Sequence, residues 1–121
     1  MYLVGGKNKY ETRLSTVQKY NPDTNVWQDV APLSGSRSSV CAVADGTYLY
    51  AIGGVDGAGR FLKVAERYDP RSNTWSEICS TLVRRRHAGG AAIKGKVFIF
   101  GGLADQSTAH PCEMYNPVTN T

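Results

Sequence analysis

The sequence predicts an all-β chain assembled from successive copies of one antiparallel, four-stranded unit. Two observations carry that reading. First, three apolar runs end in a glycine pair, at residues 1–6, 49–54 and 97–102, and the first glycines of the pairs stand 48 residues apart each time. Tyr20, Tyr68 and Tyr115 follow at spacings of 48 and 47, and Trp27 and Trp75 are again 48 apart. Markers that hold one period along the whole length identify internal repeats. Second, the apolar runs are short, rich in β-branched and aromatic residues and bounded by turn residues, with no helical period beyond a turn or two. Four short antiparallel strands per unit is the signature of a β-propeller blade, and the chain holds about two and a half such blades.

Each element follows from local chemistry. Strand one is expected at about residues 39–44 and again at 88–93. Asp45-Gly46 then supplies the positive φ values of a tight hairpin, and Lys94-Gly95 is a weaker form of the same turn. Strand two, at residues 48–53, is almost continuously apolar, which suits a strand covered on both faces. Strand three falls at about residues 63–68. Asp69-Pro70-Arg71-Ser72-Asn73 is a turn, with proline fixing φ early and asparagine tolerating left-handed backbone later. Strand four carries Trp75. The same wording recurs from Tyr20 to Trp27 and from Tyr115 to Thr121. The units are therefore 1–47, 48–95 and 96–121. The first starts inside its apolar run and the third stops one residue short of its tryptophan, so a piece of a longer protein is expected.

Composition narrows the function. With 14 Lys and Arg against 10 Asp and Glu, the net charge of +4 is too small to mark a nucleic-acid binder. A hydrophobic share of 41% is too high for a disordered chain, and no apolar run approaches the ~18 residues of a membrane span. No secretory leader is readable. Cys41, Cys79 and Cys112 form no Cys-x-x-Cys pair, which points to a reducing, cytoplasmic setting and to no metal. His87 and His110 lack ligand-spaced partners and read as satisfied or surface side chains. The glycine pairs carry no phosphate-loop pattern, so no cofactor and no enzyme chemistry is expected. Gly5, Gly53 and Gly101, with Gly6, Gly54 and Gly102 beside them, instead end strand two where a side chain would clash. Tyr20, Tyr68, Tyr115, Trp27 and Trp75 fill the wedge between sheets. Arg37 after Leu33 and Arg86 after Leu82 read as one repeated structural position.

The glycine pair followed by Asp56-Gly57, Leu62, Glu66-Arg67-Tyr68-Asp69-Pro70, Asn73 and Trp75 resembles the kelch repeat, over essentially the whole chain. The Gly-Gly-x-Asp-Gly and Glu-Arg-Tyr-Asp-Pro wording is most similar to the BTB-kelch subgroup. Two departures stand out: Ala65 replaces the usual valine, and Ala109-His110-Pro111-Cys112 lacks the leucine in a unit one residue shorter. The resemblance implies a partial kelch β-propeller that binds a protein partner. In a full-length protein of that subgroup it implies a substrate adaptor for a cullin-type ubiquitin ligase. Actin binding is the alternative, and a galactose-oxidase-like copper enzyme a third, although no converging Tyr, His and Cys set is readable. Partner contacts in such proteins gather in the loop after the glycine pair, here Lys7, Val55, Asp56, Arg60 and Leu103. They also gather at the residue after the repeat arginine, here Ser38 and His87. Arg84 and Arg85 are the surplus basic residues of the connection, and with Lys7 and Arg60 they favour an acidic peptide segment.

Overall fold

In the computed structural model, which describes residues 1–104 and 112–121, every regular element is a strand. In chain order these are β1 (Tyr2–Val4), β2 (Val17–Asn21), β3 (Val26–Val30), β4 (Arg37–Ser38), β5 (Cys41–Ala44), β6 (Leu49–Ile52) and β7 (Val55–Asp56). There follow β8 (Ala65–Asp69), β9 (Thr74–Ile78), β10 (Arg85–Arg86), β11 (Gly89–Ile93), β12 (Lys96–Phe100), β13 (Leu103–Ala104) and β14 (Glu113–Tyr115). Three antiparallel sheets form from them in the orders β1-β2-β3, β5-β6-β8-β9 and β11-β12-β14. The all-β blades expected from the sequence are therefore present, three-stranded, four-stranded and three-stranded in turn. The unit boundaries at residues 48 and 96 fall at the hairpins between the first and second strands of a sheet, so the second and third sheets begin before their sequence units do. His110 and the segment Ala109-His110-Pro111 lie outside the described residues.

The two hairpins exchange roles relative to expectation. Lys94-Gly95 is the two-residue turn: Ile93 pairs with Lys96, and both turn residues have positive φ, 49° and 73°. That is the backbone of a tight primed turn. Asp45-Gly46 instead opens a four-residue connection, since Ala44 pairs with Leu49 and only Gly46 is left-handed. Its shape is set by the Asp45 carboxylate, which accepts the N–H groups of Thr47 and Tyr48 and the hydroxyl of Tyr50.

The later turns behave as the sequence says. Asn25, Asn73 and Asn120 are left-handed, with φ of 55°, 52° and 53°. Each asparagine accepts a hydrogen bond from the tyrosine five residues earlier, Tyr20, Tyr68 or Tyr115. Tyr20 pairs across the strands with Trp27, and Tyr68 with Trp75, at ring separations of 4.9 Å and 5.2 Å. The aromatic markers thus occupy equivalent places in successive sheets.

The core lies in the seams between sheets. All four residues of β6 are buried, because both faces of the middle sheet are covered. Ala51 faces Val17 and Val4 of the first sheet, while Tyr50 and Ile52 face Val97 and Ile99 of the third. An edge-on tyrosine pair recurs in both seams, Tyr2 on Tyr68 and Tyr50 on Tyr115, each at 6.0 Å. Trp75 bridges the first seam by donating its indole N–H to the Ala31 carbonyl at 2.8 Å. Gly53 shows why the second strand must end in glycine. Its φ is +64°, and a Cβ there would stand 2.6 Å from the Arg85 carbonyl, whose oxygen already accepts the Gly54 N–H at 2.9 Å.

Candidate functional site

Two small ladders stand apart from the main sheets, at the end where the second strands reach their glycine pairs. In one, β4 pairs with β7, placing Arg37 opposite Asp56 and Ser38 opposite Val55. In the other, β10 pairs with β13, placing Arg85 opposite Ala104 and Arg86 opposite Leu103. The Asn-Pro and Asp-Pro turns close the opposite ends of the same sheets, since β8 starts beside Ile52 and ends at Asp69. The ladders therefore line one rim.

Comparison of the ladders corrects the repeat arginine. Arg85, 48 residues after Arg37, holds the equivalent place, and Arg86 does not. The Arg37 guanidinium is 2% exposed and donates to the carbonyls of Gly53, Val64 and Ala51 and to Glu66 at 2.6 Å. Arg85 is 1% exposed and likewise donates to the Gly101 carbonyl and to Glu113 at 2.6 Å. Each carboxylate also accepts backbone N–H groups of the incoming connection, Ser34 on Glu66 and Leu82 on Glu113. Burial pulls the Arg37 pKa down, and the Glu66 charge opposes that. These arginines stitch the connection to the sheet. Arg85 is thereby removed from the partner surface, and the leucine that opens the arginine pattern shifts with it. Thr81, not Leu82, is equivalent to buried Leu33: Leu33 N–H bonds Ser15 and Thr81 N–H bonds Lys63 in the same way, whereas Leu82 is exposed.

The remaining expected residues divide by depth. Val55 is 2% exposed and turned inward, so it offers no side chain to a partner. Ser38 is buried too, and its hydroxyl accepts from Arg13 Nε at 3.1 Å. Asp56 is half-buried and shapes the loop beyond the glycine pair: its carboxylate accepts the N–H groups of Ala58 and Arg60 and the Arg60 guanidinium at 2.8 Å. The Arg60 backbone bond, ahead of its charge, holds the Asp56 carboxyl below its ordinary value. Asn8 builds the equivalent loop in the first unit by accepting from Tyr10 and Thr12, and Lys7 pairs there with Glu11. His87 is exposed at positive φ, 55°, and meets Ser39, also at positive φ, across the seam, with ring nitrogen and hydroxyl 3.5 Å apart.

Four residues that motif reading missed tie the rim together. Arg13 bridges to Lys7, its 48-residue equivalent Phe61 bridges to Val55, and Ser39 is the equivalent of His87. Phe61 carries the Arg86 guanidinium on its ring face at 4.7 Å, and its carbonyl accepts from Arg84. Arg86 in turn pairs with exposed Leu103. A line of contacts thus runs from Lys7 through Arg13, Ser38, Val55 and Phe61 to Arg86 and Leu103. Asn8, the fourth, was findable by counting 48 back from Asp56. The same rim carries the guanidinium groups of Arg13, on Ser38, and Arg60, on Asp56, while Arg84 and Arg86 meet Phe61 and Arg86 lies opposite exposed Leu103. Such a surface suits carboxylates set beside an apolar side chain. Among the described residues no three His, Cys, Asp or Glu side chains gather as metal ligands.

A family model for the kelch motif matches residues 1–34, 36–78 and 84–121. Kelch-like protein 42 of Homo sapiens is 38% identical over 52 residues, covering 43% of this chain and 10% of that protein, so the chain spans about a tenth of that relative. The matched segments coincide with the three sheets, and the second and third each open on the ladder that carries the buried arginine. The chain belongs to the kelch-repeat family.

Proposed function

We propose that the chain is a non-enzymatic recognition module whose rim binds an acidic segment of a protein partner, and that it serves as the substrate-recognition part of a BTB-kelch adaptor for a cullin-type ubiquitin ligase in the cytoplasm. The observation that carries the binding reading is the rim itself. Successive units bring Lys7, Arg13, Arg60, Arg84 and Arg86 to one end of the molecule, and the buried Arg37–Glu66 and Arg85–Glu113 pairs fix the connections that lead into the two ladders there. Cations on a rigid frame bind carboxylates with little ordering cost. Likeness to a kelch-like protein supports the adaptor reading.

The test is affinity capture with the chain and with a variant carrying Lys7→Glu, Arg60→Glu and Arg84→Glu, which leaves both buried pairs in place. The variant is expected to keep its melting temperature and lose its partner. Equal capture by both proteins removes the rim from consideration. The captured partner should also rise in abundance in cells when cullin-type ligases are inhibited, and constant abundance argues against the adaptor role.

A further inference from the structure

At the end of the second sheet opposite the rim, half-buried Tyr48 lies between the connection into β6 and the turn at residues 69–73. Two guanidinium groups face its ring: Arg67 stands 4.4 Å from the centroid and Arg71 5.9 Å. Arg71 also donates to the Tyr48 hydroxyl at 3.3 Å, in an exposed contact. The other tyrosines differ. The hydroxyls of Tyr20, Tyr68 and Tyr115 donate to asparagines and that of Tyr50 to the Asp45 carboxylate, acceptors that oppose an added anion. Tyr2 turns into the first seam, and Tyr10 has one lysine, Lys9, on its ring. Two carboxylates stand near Tyr48. Asp69 shares the Arg71 guanidinium at 3.2 Å, whereas Asp45 is taken up by the N–H groups of Thr47 and Tyr48 and by the Tyr50 hydroxyl. Arg67 makes no hydrogen bond of its own among the described residues.

We infer that Tyr48 is a phosphorylation site whose phosphate is captured by Arg71 and Arg67, tying the two connections together. The hydroxyl oxygen attacks the γ-phosphorus of ATP held by a protein tyrosine kinase. The bond from that phosphorus to ADP breaks, ADP leaves, and the phenolic proton passes to the kinase. The phosphate brings a charge of about −1.5 to −2 and three acceptor oxygens, which two guanidinium groups match. The inference does not rest on the rim.

The test treats the whole chain with ATP and the catalytic domain of a tyrosine kinase and maps the phosphate by mass spectrometry. Tyr48 should be labelled, and Tyr48→Phe, which keeps the ring between the arginines, should lose that label. The phosphorus-31 signal absent from Tyr48→Phe should titrate about half a unit or more below the ordinary second phosphate value of about 6. The melting temperature should rise by a few degrees on phosphorylation. Arg71→Gln should accept the phosphate, yet its signal should titrate near the ordinary value and its melting temperature should not rise. No label on Tyr48, an ordinary titration in the parent chain, or a melting temperature lowered by the phosphate would overturn the inference.

Discussion

Arg37 and Arg85 hold equivalent buried places, each closed by a carboxylate, although the leucine-then-arginine spacing pairs Arg37 with Arg86. Three consecutive arginines hide the phase, and an exposed Leu82 beside Thr81 supplies a false landmark. The 48-residue count alone selects Arg85. What the sequence could not display is depth, which depends on Glu66 and Glu113 arriving from a distant strand. The consequence is measurable. Arg37→Met leaves Glu66 buried without its partner and should cost about 3–5 kcal/mol. Arg86→Met, which loses a ring-face contact with Phe61, should cost about 1 kcal/mol or less. Urea denaturation of the two variants separates them, and equal losses would contradict the assignment of Arg85 to the buried place. Cys41 offers a second check. Burial pushes its thiol up to about 11, and the Arg85 charge only partly offsets this. A folded pKa above the unfolded one means that the stabilisation is full below the unfolded value, about 8.5, and fades as pH rises toward 11. At pH 8 a thiol reagent should label exposed Cys79 and Cys112 quickly and Cys41 only on unfolding.

At the scale of elements, the strands and the proline turns were legible because their signals are local. Tyrosine, asparagine and tryptophan at fixed offsets specify β2, β3, β8 and β9 without help from elsewhere. The first hairpins were not, because a side chain overrides the Asp-Gly signal. The Asp45 carboxylate gathers two N–H groups and the Tyr50 hydroxyl, so the connection takes four residues in place of the tight hairpin expected there. Burial raises the Asp45 pKa, but the bonds from Tyr48, Thr47 and Tyr50 outweigh it and hold the carboxyl below its ordinary value. A depressed folded pKa stabilises the fold above the unfolded value, about 3.9, and that contribution disappears as pH falls through the folded value. Asp45→Asn should therefore lower stability by about 1 kcal/mol at pH 7 and show a flatter loss between pH 5 and 2 than the parent chain. Denaturation midpoints across that range decide the matter, with parallel curves counting against it. Lys94, left-handed in the two-residue turn, predicts the opposite sign: Lys94→Asn should stabilise by a few tenths of a kcal/mol.

For the whole molecule, the period announces how many sheets there are and in what order, since identical seams require identical spacing. It does not announce the rim, because Arg13, Phe61 and Ser39 belong to no motif and reach Ser38, Arg86 and His87 only when successive units are stacked. The same stacking predicts how the chain behaves in solution. Ala51 faces one neighbour while Tyr50 and Ile52 face the other, so the middle sheet is covered on both sides. The outer sheets are covered on one side only. Tyr2 and Val4 point into the first seam and leave Leu3 outward, 55% exposed, near Trp27 at 44%. Val97 and Ile99 point into the second seam and leave Phe100 outward at 48%, with Met114 at 49%. Apolar patches of this kind recruit partners, and repeat stability is close to a sum of unit and interface terms. The chain should therefore self-associate with rising concentration. Amide exchange should be slowest in β6 and fastest in β1 and β14. Phe100→Asp should reduce the association measured by light scattering while leaving the melting temperature within a few degrees, because that ring lies outside the core. A monodisperse monomer at every concentration, melting in one sharp transition with uniform amide protection, would show that the two outer faces are less exposed in solution than their side chains require.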